Sequence, residues 1–117
     1  MKRALMLLCV CALALSQAFA DMPVKDYKIA RAQGLGPAVR AYIYGIGNGY
    51  SWANAKLKAD KQHPLYCEPG KMALNAENYV GLVDDALKNP DFAGLAKDAD
   101  PVELLLLAQL ILAFPCK

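Results

Sequence analysis

The sequence is short of the groups on which most enzymes rely. It has one histidine, His63, and a single serine beyond residue 20, Ser51. Acyl transfer needs a nucleophile, a base and an orienting acid in one place. Ser51 carries no nucleophile-elbow motif, and nothing marks such a set. No stretch alternates apolar and polar residues over strand length, which argues against a sheet. There is no internal repeat and no low-complexity run. There is also no basic block, so the phosphate neutralisation behind nucleic-acid binding is missing, as is the polybasic segment that seeks an anionic membrane surface. With 117 residues, the chain has room for one domain core.

The first twenty residues read as a secretory signal peptide. Lys2 and Arg3 form a charged start, Ala4 to Leu15 an apolar run, and Ala18-Phe19-Ala20 a small-x-small cleavage site. Cleavage after Ala20 leaves Asp21 to Lys117, 97 of the 117 residues. All 11 acidic residues lie in that part, with 11 of the 13 basic ones once Lys2 and Arg3 are removed, so its net charge is close to zero. Cys9 and Cys11 leave with the leader. Neither suits lipid attachment, because Leu8 and Val10 are too large for the residue before a lipoprotein cysteine. Cys67 and Cys116 remain. A metal pair would lack ligands, with only His63 and no second cysteine close by. In an exported domain two cysteines form a disulfide. A bridge over about 50 residues stabilises by roughly 4 kcal/mol on the chain-entropy model.

The mature chain predicts an all-α fold, a small compact helical domain of three main helices plus one or two short ones. One or two turns start at Val24. Gly34-Leu35-Gly36-Pro37 punctuates the chain, and Pro37 suits a first helical turn. Val39, Tyr42, Ile43, Ile46, Tyr50, Ala53 and Leu57 then mark one face over about five turns. Ala41, Gly45, Gly49 and Ala53 form a row of small residues that admits another helix or a ligand. Asp60 to Gly70 is a loop with Pro64 and Pro69. Asn75 is an N-cap, followed by Tyr79, Leu82, Val83, Ala86 and Leu87 on one face. Asp84 and Lys88 make an outer i,i+4 pair, and Asn89-Pro90 ends the helix. Asp91 to Ala99 holds one short helical piece. Asp100, Pro101 and Glu103 resemble a capping box for the last helix. Leu104 to Phe114 is apolar except for Gln109 and too short to span a bilayer. Being apolar on every side, it belongs at the centre of the fold or in a dimer interface.

The motifs that suggest chemistry have plainer explanations. Gly45-Ile46-Gly47-Asn48-Gly49 lacks the spacing and the preceding strand of a dinucleotide loop. Asp84-Asp85 and Asp98/Asp100/Glu103 are the only acidic clusters. They are explained by a polar helix face and by capping rather than by glycoside hydrolysis, and no stretch has the ligand spacing of a calcium loop. No catalytic residue, metal or cofactor is therefore assigned. The aromatics carry more. Tyr42 and Tyr50 belong to the buried face, while Tyr44 and Trp52 fall off it, and exposed Tyr and Trp are favoured interface anchors. With Lys56, Lys58, Lys61, His63 and Tyr66 they form a candidate partner-binding surface, or an ordinary solvated face.

Three segments together resemble a known family: Ala41-Tyr42-Ile43-Tyr44-Gly45 in a helix, Tyr66-Cys67-Glu68-Pro69 after a loop, and Phe114-Pro115-Cys116 at the C-terminus. In that order, behind a leader, they resemble the Tai/Rap family of small periplasmic proteins, over roughly Gly36 to Lys117. The resemblance implies a periplasmic helical domain with a Cys67–Cys116 bridge, often a homodimer. It implies an immunity protein that binds a type VI secretion peptidoglycan amidase effector and blocks its cleft. Many members carry a second cysteine pair in the N-terminal half, and this chain has none there. The alternative is a small periplasmic chaperone of the acid-stress type, or another helical interaction protein.

Overall fold

The computed structural model describes residues 21–70 and 73–117; the leader expected at residues 1–20 lies outside them. Among the described residues four α-helices follow one another: α1 (Val24–Ala32), α2 (Pro37–Ala59), α3 (Ala76–Lys88) and α4 (Val102–Ala113). A single 3-10 turn, Pro90–Phe92, is the only helical piece between α3 and α4. Among the described residues there is no strand, only one isolated bridge between Pro23 and Pro101. Cys67 and Cys116 form a disulfide with their Cα atoms 5.0 Å apart. The fold is all-α, as the periodicities require, with three longer helices, one short one and one bridge.

The helix ends follow from local chemistry. Pro37 stands at N1 of α2. Asn75 and Asn78 form a reciprocal capping box at the start of α3, each side chain accepting the other's backbone N–H at 2.9 Å. After α1 the Leu35 N–H donates to the Ala30 carbonyl at 2.8 Å and the Gly34 N–H to Arg31 at 3.2 Å. This Schellman closure needs a left-handed residue, supplied by Gly34 at φ +94°. The same closure ends α2, where the Gln62 N–H donates to Leu57 and the Lys61 N–H to Lys58. There the left-handed residue is a lysine, Lys61, at φ +56°.

Helix α3 packs between α2 and α4. Tyr27, Leu35, Ile43, Tyr66, Tyr79, Val80, Val83, Val102, Leu106 and Leu110 form the main buried cluster. The approach of α2 to α3 depends on Gly47. A Cβ there would lie 2.4 Å from the Tyr79 ring, so no side chain fits. The row of small residues at Ala41, Gly45, Gly49 and Ala53 does not serve this purpose. It faces solvent, and nothing lies within 4 Å of a Cβ at Gly45 or Gly49.

Two further expectations are corrected. Asp84 does not pair with Lys88. It turns to α1, accepting the Tyr27 hydroxyl at 2.8 Å and Arg31 Nε at 3.0 Å. Asp100 and Glu103 do not cap α4. The N-terminal segment crosses there instead, with the Val102 N–H donating to the Met22 carbonyl at 2.9 Å and the Val24 N–H to Asp100 at 2.8 Å. Backbone from another segment thus satisfies an orphan donor of the helix start, which leaves Asp100 to accept the Lys97 N–H. Helix α4, expected at the centre of the fold or in a dimer interface, is covered on one side only. Val102, Leu105, Leu106 and Leu110 are buried, whereas Leu104, Ile111 and Leu112 are exposed.

Glycine substitutions on α2 should move stability in opposite directions according to position. Gly45→Ala or Gly49→Ala should stabilise by about 0.5–1 kcal/mol, from helix propensity alone. Gly47→Ala should destabilise by about 1–3 kcal/mol, the usual cost of overpacking. Urea denaturation of the three variants checks this, and a stabilised Gly47→Ala protein would refute the packing role.

Candidate interaction surface

The loop after α2 is built from the helix outward. Asn54 is the one buried polar residue of the described fold, 4 % exposed. Its Oδ1 accepts the Leu65 N–H and its Nδ2 donates to the Tyr66 carbonyl, both at 2.8 Å. Both bonds fix the far end of the loop to the helix that precedes it. Next in the chain, the Cys67 N–H donates to the Phe114 carbonyl at 2.7 Å, and Cys67 is bridged to Cys116. The near end is closed by the turn at Lys61. Residues 61–65 are thus held at both ends, and Lys61, Gln62, His63 and Leu65 are exposed between the anchors. Lys56 and Lys58 lie in the last turn of α2, where the helix dipole favours cations. Lys56 is paired with Asp60 four residues on, at 2.6 Å.

The structure divides the residues singled out from sequence. Lys58, Lys61 and His63 belong to the loop end. Trp52 is 71 % exposed, but it lies two residues from Asn54 and so about 200° around the helix. It therefore faces away from the side where the loop is latched. Tyr44 sits on the edge toward α3, its ring 6.3 Å from that of Tyr79. Tyr66 is corrected: it is fully buried, its hydroxyl donates to Glu68, and it presents nothing to a partner. Tyr42, expected on the buried face, is exposed at its edge and donates to Glu103.

Two further surfaces are present, of which only the groove along α3 was not apparent from sequence. On α4, Leu104, Leu107, Ala108, Ile111 and Leu112 share one side by the 3.6-residue period. Leu104, Ile111 and Leu112 are exposed there, and Leu107 and Ala108 are half-buried. An open groove of about 330 Å³ runs along α3, with Leu74, Leu82 and Phe114 among its apolar walls and Glu77 and Asp85 among its polar ones. Glu77 is already paired with Arg40. Among the described residues no three His, Cys, Asp or Glu side chains converge to hold a metal ion, and no helix is long and apolar enough to cross a membrane.

Comparison with family models, curated proteins and solved structures finds no match to this chain.

Burial shapes the titration of the tyrosines. Burial and the bond to Glu103 push Tyr42 up to about 12, and burial beside Glu68 pushes Tyr79 up to about 12. Tyr27 and Tyr66 are driven well above the usual phenol range, chiefly by burial. A raised phenol pKa means the unfolded chain loses its proton first as pH rises, so stability is intact below about pH 10 and falls above it. Alkaline titration should therefore show these phenolates appearing together with loss of helical signal, rather than as independent groups near pH 10. A second expectation concerns the latch. Asn54→Ala strands one buried donor and one buried acceptor, and should cost about 2 kcal/mol and speed hydrogen exchange at Leu65. Unchanged protection at that amide would refute the latch.

Proposed function

We propose that this is an exported binding protein, and that its loop at residues 61–65 is the part offered to a protein partner. The observation that carries this reading is that the loop is exposed yet fixed at both ends. A loop ordered before binding loses less entropy on association, and a rigid protrusion suits insertion into a cleft. Lys61 supports the same reading. A left-handed lysine costs roughly 1 kcal/mol relative to glycine, a cost that is understandable where the side chain is used. The resemblance to the Tai/Rap family gives the partner its chemistry: a peptidoglycan amidase effector, whose cleft the loop would block in the periplasm. The protein would then act as an immunity protein and enzyme inhibitor rather than as an enzyme. The same reading includes a homodimer, for which the exposed leucine face of α4 is the available surface, since contiguous apolar patches on folded domains commonly mark association sites.

That leucine face also gives the chaperone alternative its specific support, because it could hold an unfolded client. The two readings differ in solution. A chaperone of the acid-stress type suppresses client aggregation at pH 2–3, whereas an immunity protein binds one folded partner.

The deciding experiment is co-purification of the oxidised protein with the product of the adjacent reading frame, followed by calorimetry and an assay of cell-wall cleavage. A tight complex and loss of cleavage are expected. His63→Ala and Lys58→Ala should each weaken binding at least several-fold, and Trp52→Ala less, since Trp52 lies away from the loop. No complex, or affinity indifferent to His63 and Lys58, would overturn the proposed loop. Ile111→Glu should convert a dimer to monomer in sedimentation.

A further inference from the structure

The first described residues end at a carboxylate that is only half used. The Met22 N–H donates to Glu103 Oε1 at 3.0 Å, and the Tyr42 hydroxyl donates to the same oxygen. The Tyr50 hydroxyl donates to the Glu103 backbone carbonyl at 2.9 Å. Glu103 Oε2 is buried and has no hydrogen-bond partner among the described residues. A buried carboxylate oxygen without a donor is costly, so this arrangement lacks one donor, best a cationic one.

The residue before Met22 is Asp21, which becomes the first residue if the leader is removed after Ala20. Leader removal is a hydrolysis. Water's hydroxyl goes to the Ala20 carbonyl carbon, the Ala20–Asp21 bond breaks, and a proton goes to the Asp21 nitrogen. That amine takes a second proton from solvent at neutral pH. A single neutral N–H thereby becomes an ammonium with three donors and a positive charge. It lies one peptide unit, about 3.8 Å between Cα atoms, from a residue already bonded to Glu103.

We propose that Glu103 is an acceptor site for the chain's own processed α-ammonium, which would occupy the unpartnered Oε2. This rests on the export reading above, in its requirement for cleavage after Ala20. The surrounding charges suit the role. From α2, Tyr42 and Tyr50 face the site as protonated phenols. The Asp21 carboxylate lies close enough to both to disfavour their ionisation. From the turn before α4, Asp98 is engaged by Lys28 and Asp100 by the Lys97 N–H. No Lys or Arg side chain is bonded to Glu103 among the described residues. The spot therefore holds two carboxylates, and the new terminus supplies the missing cation. Before cleavage the same nitrogen is an amide and cannot carry charge, so the N-terminal crossing would be fully secured only in the processed chain.

An ammonium paired in the folded state has a raised pKa. Its contribution to stability is present below the unfolded value and lost as pH rises through the folded one. The test uses the full chain, secreted with its leader, and begins with the intact mass of the product. Its α-amine is then reductively methylated with a carbon-13 label and titrated by NMR. With Asp21 first, the α-amine should titrate at least one unit above the ordinary range of about 7.7–8.0, a tenfold change in proton affinity. Glu103→Gln should return it to that range. Inserting Gly-Ser between Ala20 and Asp21 should do the same while leaving Glu103 in place, and should lower Tm by about 5 °C. A product that starts at Asp21 but shows an ordinary α-amine pKa, or a Tm indifferent to the insertion, overturns the site and leaves the export reading standing. A product cut at another bond overturns the site alone, and one that keeps its leader overturns both.

Discussion

Helix α2 can lie against α3 only because residue 47 has no side chain. The Tyr79 ring occupies the space in which a Cβ would stand, and much else is arranged around that contact. It sets the depth at which Ile43 and Tyr79 enter the same buried cluster as Val83, Leu106 and Leu110. It also places Tyr44 beside Tyr79, which keeps one flank of α2 occupied. A glycine inside a helix costs about 1 kcal/mol of propensity relative to alanine. Here that cost is offset by an aromatic ring packed directly on the backbone.

The second organising element is polar. Asn54 joins α2 to the loop that follows it, and the disulfide joins the end of that loop to the C-terminus. Between them lies a run of exposed side chains on a fixed backbone. The lysines and histidine are not presented by composition alone. They are held out because neighbouring backbone groups at Leu65, Tyr66 and Cys67 are all satisfied internally. This separation of duties, anchoring by backbone and presentation by side chain, is what a recognition loop requires.

The helices were largely legible in the sequence. Period, Pro37, Asn75 and Asn89-Pro90 mark boundaries that depend on nearby residues, and those boundaries hold to within a residue or two. The errors share a cause. Asp100 and Glu103 have the spacing of a cap, yet Glu103 is taken by Met22, 81 residues away. Asp84 has the spacing of a surface pair, yet it is taken by Tyr27, 57 residues away. Periodicity shows that a helix has a face but not which neighbour meets it. For that reason the small-residue row on α2 reads as a packing face, although among Gly45, Gly47 and Gly49 it is Gly47, off that row, that admits the neighbouring ring. Tyr66 misled for a related reason: an aromatic beside a loop cysteine reads equally as an anchor outward or inward. Asn54 gave no signal, since one asparagine on a long helix is ordinary until the loop is seen folding back onto it.

Much of what holds the N-terminal segment comes from the second half of the chain. Tyr27 and Arg31 wait for Asp84, Lys28 for Asp98, Val24 for Asp100, and Met22 for Glu103. The part of the polypeptide made first is therefore among the last that can settle. Local helices form in microseconds, but contacts between such distant residues carry a loop-closure cost that must be met first. Asp84 must be made before Tyr27 and Arg31 can be bonded, and residues 98–103 before the crossing at Met22 and Val24 can close, so the contacts of α1 are completed only near the end of synthesis.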